Sequence, residues 1–446
     1  MKHSRRHFIK QNTLASLGLI SMGTIATYAE SKPEPGNSIF RQGGLKTIED
    51  LNIEKLKEKY KDALFGDLLP KLDRVIVDHD LGGFMCTVNL VSGERVSTNK
   101  NAWYEGRGIW TYSFLYNNFG KDPRHLEIAR KSKDFILKNL PADDSFFISN
   151  YTKEGKPLSD KEGDIYGNLF VAEGLAEYSK ASGEKQYFDL AKNIVLKAVA
   201  RYDRPDFTYP YKAENRIKGP RILGHWMLLL SVATQMLRQR QDAELETIAD
   251  RCVNAIMNHH INPECKVLNE ALSHDLQPLS DPVASRFGDI GHGCETLAFV
   301  MNYAVLRKDA TLFKNASKQF KRHVTIAKDD VFGGYFGSLD NIETNTFSLN
   351  KARWVQEEIL AGALTMVEHG NDPWALNCFA ETETYITDKF SRPGYTFVIR
   401  SGDRKVEKHS QVALAEHYHY PRQLMHGLLA FDRIIKNGKK ASGIFG

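Results

Sequence analysis

Apolar positions recur at three- and four-residue spacing through twelve stretches of the chain. They lie near 47–77, 102–118, 122–139, 163–182, 184–202, 220–238, 241–258, 290–307, 309–326, 350–368, 371–388 and 418–435. That period predicts amphipathic helices. Short breaks such as "GKD" and "SGEK" join the members of a pair, as in antiparallel helical hairpins. Long stretches rich in Gly, Pro and aromatic residues join one pair to the next, among them "DDVFGGYFGSLDNIETNTFS" and "RPGYTFVIRSGDRKVEKHS". Several alternate apolar and polar residues around a turn, which predicts β-hairpins. The helices after long stretches begin near 102, 163, 220, 290, 350 and 417. This alternation fits an all-α ring of six hairpins, inner helices inside outer ones, with β-hairpin loops over the inner-helix N-termini. The competing arrangement is an open superhelical stack of hairpins.

The barrel domain is expected over residues 46–440. Ahead of it, "SRRHFIK" precedes a mild apolar run, "LASLGLISMGTIATYA". That run is too short and mild to span a bilayer. Twin arginines before it read as a twin-arginine export signal over residues 1–29, cleaved after Ala29. The expected location is periplasmic, with no membrane association once the signal is removed. Residues 30–45 read as a flexible lead-in.

Composition narrows the function. The formal charge of +5 comes mostly from Lys2, Arg5, Arg6 and Lys10 in the signal, so the body is close to neutral. A body of that charge, without a basic stripe, gives no reason to expect nucleic acid. The five cysteines are scattered and form no C-x-x-C, which argues against a disulfide framework or a zinc ribbon.

Unusual side chains collect at the inner helix starts. "WYEGRGIW" carries Arg107 and Trp110, "DIYGN" carries Tyr166, and "GHW" carries His225. "GHGCE" carries His292 and Glu295, "RWVQEE" carries Trp354 and Glu358, and "HYHYPR" carries His417, His419 and Arg422. Taken singly, each has an ordinary structural explanation. Six segments delivering aromatic and charged groups to one mouth suit a sugar, which needs ring faces and hydroxyl partners. His292–Glu295 and His419–Arg422 share an i, i+3 spacing and hence a helix face. A carboxylate there would fix an imidazole tautomer, so "HGCE" and "HYHYPR" are expected to be two halves of a two-histidine site. No metal is indicated at ligand spacing, and neither a G-x-S-x-G elbow nor a nucleotide loop is present.

These pieces carry a likeness. The chain resembles the N-acylglucosamine 2-epimerase family, with its cellobiose 2-epimerases and mannose isomerases, through "WYEGRGIW", "GHGCE", "KARWVQEEIL" and "YHYPRQLM" in family order. The resemblance implies an (α/α)6 barrel and no cofactor. It implies catalytic roles for His292, His419, Arg107 and Glu295, with His225, Trp110, Tyr166, Trp354, Glu358 and Arg422 holding substrate. The expected activity is 2-epimerisation or aldose–ketose isomerisation of a free mono- or disaccharide through an enediolate, by a monomer or homodimer. The alternatives are a glycoside hydrolase or polysaccharide lyase on the same barrel, and a sugar-binding relative without catalysis.

Overall fold

Every long helix expected from the apolar period forms within a few residues of its predicted span. A computed structural model describes residues 44–209, 217–405 and 410–445. The export signal expected over residues 1–29 and most of the expected lead-in lie outside the described residues. The inner ring is α3 (Ala102–Asn118), α5 (Ile165–Ser182), α7 (Leu223–Gln239), α10 (Ile290–Arg307), α12 (Arg353–Gly370) and α14 (His419–Lys436). Each packs on the next in that order. The outer ring begins with α1 (Ile53–Lys61) and α2 (Leu69–Val75), joined by π-helical Asp62–Leu68. It continues with α4 (Pro123–Leu137), α6 (Gln186–Tyr202), α8 (Ala243–Asn254), α11 (Ala310–Ala327) and α13 (Pro373–Phe390). A short helix that the periodicity does not predict, α9 (Pro282–Arg286), lies in the loop before α10. Among the described residues no helix is long and apolar enough to cross a membrane.

Local chemistry sets the helix starts. Asp122, Asp164, Asp242, Asp289, Asp309 and Asp372 each accept a backbone N–H of the first turn, which satisfies groups a helix leaves unpaired. Inner helices are buried on nearly every face: in α5, residues Ile165 to Ser179 are all buried. Such a helix sits between an outer layer and a filled centre. The tightest crossing is α3 on α5. A Cβ on Gly106 would stand 2.3 Å from the backbone carbon of Phe170, and one on Gly174 would stand 2.6 Å from the Gly106 carbonyl.

The loops depart from the expectation of self-contained hairpins. Among the described strands, Thr208–Tyr209 with Ile217–Lys218 and Ser338–Asn341 with Thr346–Ser348 pair within one loop, and isolated bridges such as Val88 with Arg95 close others. Other strands pair between different loops: Lys100–Asn101 with Asn150–Tyr151, Arg221–Ile222 with Ala271–Leu272, and Lys351–Ala352 with Ser401–Gly402. Thr87–Asn89 pairs with Val412–Leu414, joining the first loop to the last. Alternation along a sequence marks a strand but carries no information on its partner. The result is a collar over the inner-helix N-termini. Buried ion pairs brace it. Lys100 Nζ donates to Asp78 (2.9 Å) and to the carbonyls of Gly82 and Lys153. Lys351 repeats the pattern with Asp329 and the carbonyls of Gly333 and Arg404.

Candidate active site

The inner helices bring their first turns together under the collar. His292 is the third residue of α10. Its backbone N–H is held by Asp289 Oδ1 at 2.9 Å. Its ring Nδ1 lies 2.9 Å from Glu270 Oε1 and 3.9 Å from Asp289 Oδ2. Glu270 sits in the loop before α10, and its backbone carbonyl accepts the N–H of Leu223 at the start of α7. Burial opposes a charge on His292, but Glu270, Asp289 and Glu295 outweigh it and hold the imidazole up at about 10. Burial pushes Glu270 upward as well. The pair shares one proton, and the imidazole, facing several carboxylates, keeps it.

His419 opens α14. Glu416 Oε1 accepts the backbone N–H groups of Tyr418 and His419 at 2.9 Å each. Its other oxygen lies 3.4 Å from His419 Nδ1. Here burial wins, and the His419 imidazole titrates below its ordinary value. Trp354, on the helix between these two in ring order, stands between the imidazoles. Its ring centroid is 5.8 Å from that of His292 and 5.7 Å from that of His419. Gly291 makes room for it: a Cβ there would lie 2.4 Å from the indole.

One helical turn deeper lies an ionic layer. Arg422 donates to Glu295 Oε1 at 2.9 Å and to Glu358 Oε1 through the same nitrogen. Burial drives up the Glu358 carboxyl. Glu295 feels the same burial, but Arg422 and both histidines hold it below its ordinary value. Glu295, Glu358 and His419 approach within 4.8 Å, close enough to share a metal ion. Arg422 already supplies positive charge to both carboxylates. Arg107 is buried without an ion pair among the described residues. Its guanidinium lies 4.2 Å from the Phe170 centroid and 4.8 Å from that of Tyr418, and its Nε has no hydrogen-bond partner. A buried cation left unpaired is costly, and a site that must meet a developing anion has a use for one.

The remaining expected residues fall into two groups. Tyr166 lies at the mouth, 4.8 Å by centroid from Trp103 and from His225. His225 is fully buried in an aromatic box with Tyr202 and Tyr209, and neither ring nitrogen has a partner among the described residues. Trp110 lies deeper, buried, with its indole N–H donating to Gln235 Oε1 at 2.6 Å. His417 is buried against Cys86 and the Tyr104 carbonyl.

The structure corrects both i, i+3 pairings. Glu295 accepts from Arg422 rather than from His292, and Arg422 donates to Glu295 and Glu358 rather than serving His419. Three residues along a helix is about 4.5 Å of rise, so side chains on one face of a buried helix fall into successive layers. Glu270, Glu416 and Asp289 were not singled out in the sequence. The signal for Glu416 was present as another i, i+3 pair, in the "EHYH" before the helix; Glu270 had none.

An (α/α)6 barrel whose mouth holds two carboxylate-backed histidines, an unpaired arginine and half-buried ring faces is that of a carbohydrate epimerase or isomerase. The chain belongs to the N-acylglucosamine 2-epimerase family, whose model matches residues 82–420. It is 24% identical over 361 residues to the cellobiose 2-epimerase of Bacteroides fragilis, covering 75% of this chain and 89% of that one. In fold it is similar to the cellobiose 2-epimerase of Bacillus thermoamylovorans B4167, with a TM-score of 0.74 at 14% identity, covering 84% of this chain and 99% of that one. A D-mannose isomerase superposes with a TM-score of 0.70 at 12% identity, covering 85% and 98%.

Proposed function

We propose that the protein interconverts 2-epimeric sugars, or an aldose and its ketose, by proton transfer between two histidines through an enediolate. The observation that supports this most directly is the pair of imidazoles flanking Trp354, each beside its own carboxylate, with His292 pushed up by its acids and His419 pushed down by burial. Near neutral pH His419 is neutral and His292 is charged. His419 then takes the proton from C2 of an open-chain sugar, the step a neutral imidazole performs well. The electron pair moves into the carbonyl, and Arg107 stabilises the resulting oxyanion. His292 returns a proton: to C2 from the other face for the epimer, or to C1 for the ketose, in which case the hydroxyl proton on O2 passes to O1. His292 ends neutral and His419 charged, ready for the reverse reaction. Glu295 and Glu358, the acids of the layer below, share Arg422 instead of flanking a bond, which favours this reading over hydrolysis.

The relatives named as cellobiose 2-epimerases make a β-linked reducing disaccharide the first substrate to assay, with D-mannose next. The twin-arginine N-terminus supports a periplasmic place of action. The test is turnover in D2O followed by NMR. The expected product carries deuterium at C2 if it is the epimer, or at C1 if it is the ketose. His292→Asn and His419→Asn should each lose at least ~100-fold in kcat, the scale for a lost general acid or base. Product without solvent deuterium would point to a hydride shift and reject the two-histidine scheme.

A further inference from the structure

A large cavity lies at the other end of the barrel, where the inner helices finish. It holds about 1450 Å³, roomier than a typical small-molecule pocket. Glu358 and Arg422 line it from above, so the deeper layer of the site is also its roof. Nine of its lining side chains are lysine or arginine against three glutamates. Helix C-termini attract cations, and part of this excess answers their carbonyls.

That does not account for Arg238. It lies in the last turn of α7 and lines the cavity, with no hydrogen bond or ion pair among the described residues. The neighbouring acids are already engaged. Arg433 holds Glu368 with two bonds, at 2.5 and 2.8 Å. Arg422 holds Glu358. Glu177 accepts from Asn117 at 2.6 Å, and burial pushes its carboxyl up. Arg238 is open to the cavity, where Arg433 acts against its charge and the already engaged Glu177 and Glu368 act for it. His369 and His426, in the same cavity, are held below their ordinary values, first by burial and then by these arginines against the pull of Glu368 on His369. Arg238 is thus the guanidinium left to meet an anion, with two uncharged imidazoles beside it. Further in, the walls offer Phe114 and Phe299 as ring faces and Asn302 as an amide partner.

We propose that this cavity is a second ligand site, for a polyhydroxylated organic anion whose phosphate or carboxylate seats on Arg238. Such a ligand pairs with Arg238 through charge-assisted hydrogen bonds, while its hydroxyls meet Asn302.

The experiment is calorimetric titration of the mature protein with glucose 6-phosphate, glucuronate and neutral glucose. Saturable binding of one of the two anions is expected, and which one binds separates a phosphate from a carboxylate ligand. The affinity should fall as salt is raised. It should fall at least ~10-fold in Arg238→Gln, the scale of one lost charged hydrogen bond, and recover in part in Arg238→Lys. His292→Asn, at the other end of the barrel, should bind the anion as the unaltered protein does. Lys308→Glu, at the cavity mouth, gives an independent loss should Arg238→Gln melt early. The proposal is overturned if neither anion binds saturably. It is also overturned if Arg238→Gln, Lys308→Glu and the unaltered protein bind alike, or if His292→Asn abolishes binding.

Discussion

Replacing Glu270 with Gln keeps the shape of the side chain and removes its charge. The carboxylate lies 2.9 Å from His292 Nδ1. A unit charge pair near that distance is worth ~4 kcal/mol at an effective dielectric of 20, or ~3 pKa units. Without it, His292 should fall from about 10 to ~7, because Asp289 and Glu295 remain nearby. At pH 8 the charged fraction would drop from nearly all to ~10%, costing about tenfold in rate, with a further ~10-fold for the lost orientation of the ring. The assay is kcat/KM for epimerisation from pH 5 to 10.5. In the unaltered protein the acid limb follows His419, below the ordinary imidazole value, and the alkaline limb lies near 10. In Glu270→Gln the alkaline limb should move down by ~3 units while the acid limb stays. Stability provides a second readout. A pKa raised by folding stabilises fully below ~6.5 and loses that contribution as pH climbs through about 10, so the two melting curves should converge at high pH. An unmoved alkaline limb would refute the assignment of His292 as the charged partner.

Three further outcomes are expected. Arg107→Met should lower kcat by ~100-fold, as for a lost oxyanion donor, yet leave the melting temperature equal or higher, since the guanidinium has no ion pair to lose; a clear fall in melting temperature would assign it a structural role. Lys100→Met should destabilise the fold by ~3–5 kcal/mol, because it strands the buried Asp78 carboxylate, and chemical denaturation measures this directly. Replacing Arg5 and Arg6 with Lys should retain the protein in the cytoplasm, read by fractionation; an unchanged periplasmic yield would contradict the export signal.

The helix rhythm was legible because loop length and apolar period are local properties, and α3, α10 and α14 begin within a residue or two of where the pattern puts them. The two histidines were legible because each opens an inner helix. Their acid partners were less so. Glu270 reaches His292 only because Arg221–Ile222 pairs with Ala271–Leu272 and draws one loop across to the next, a pairing between distant segments that no local pattern encodes. The layering that separates His292 from Glu295 depends on the direction of the helix relative to the barrel axis, which periodicity leaves open.

The pairing of Thr87–Asn89 with Val412–Leu414 bears on how the molecule is born. Contacts this far apart in the chain form late, after the loop entropy of everything between them has been overcome. Arg107 leaves the ribosome early, whereas Glu416 and His419 emerge near the end. A nascent or truncated chain can therefore build most of its hairpins and still lack a base. By the proposed mechanism, catalysis begins only once the first and last loops of the collar have met. Turnover thus reports completed folding, and any quality check that tests for the finished ring also tests for a working enzyme.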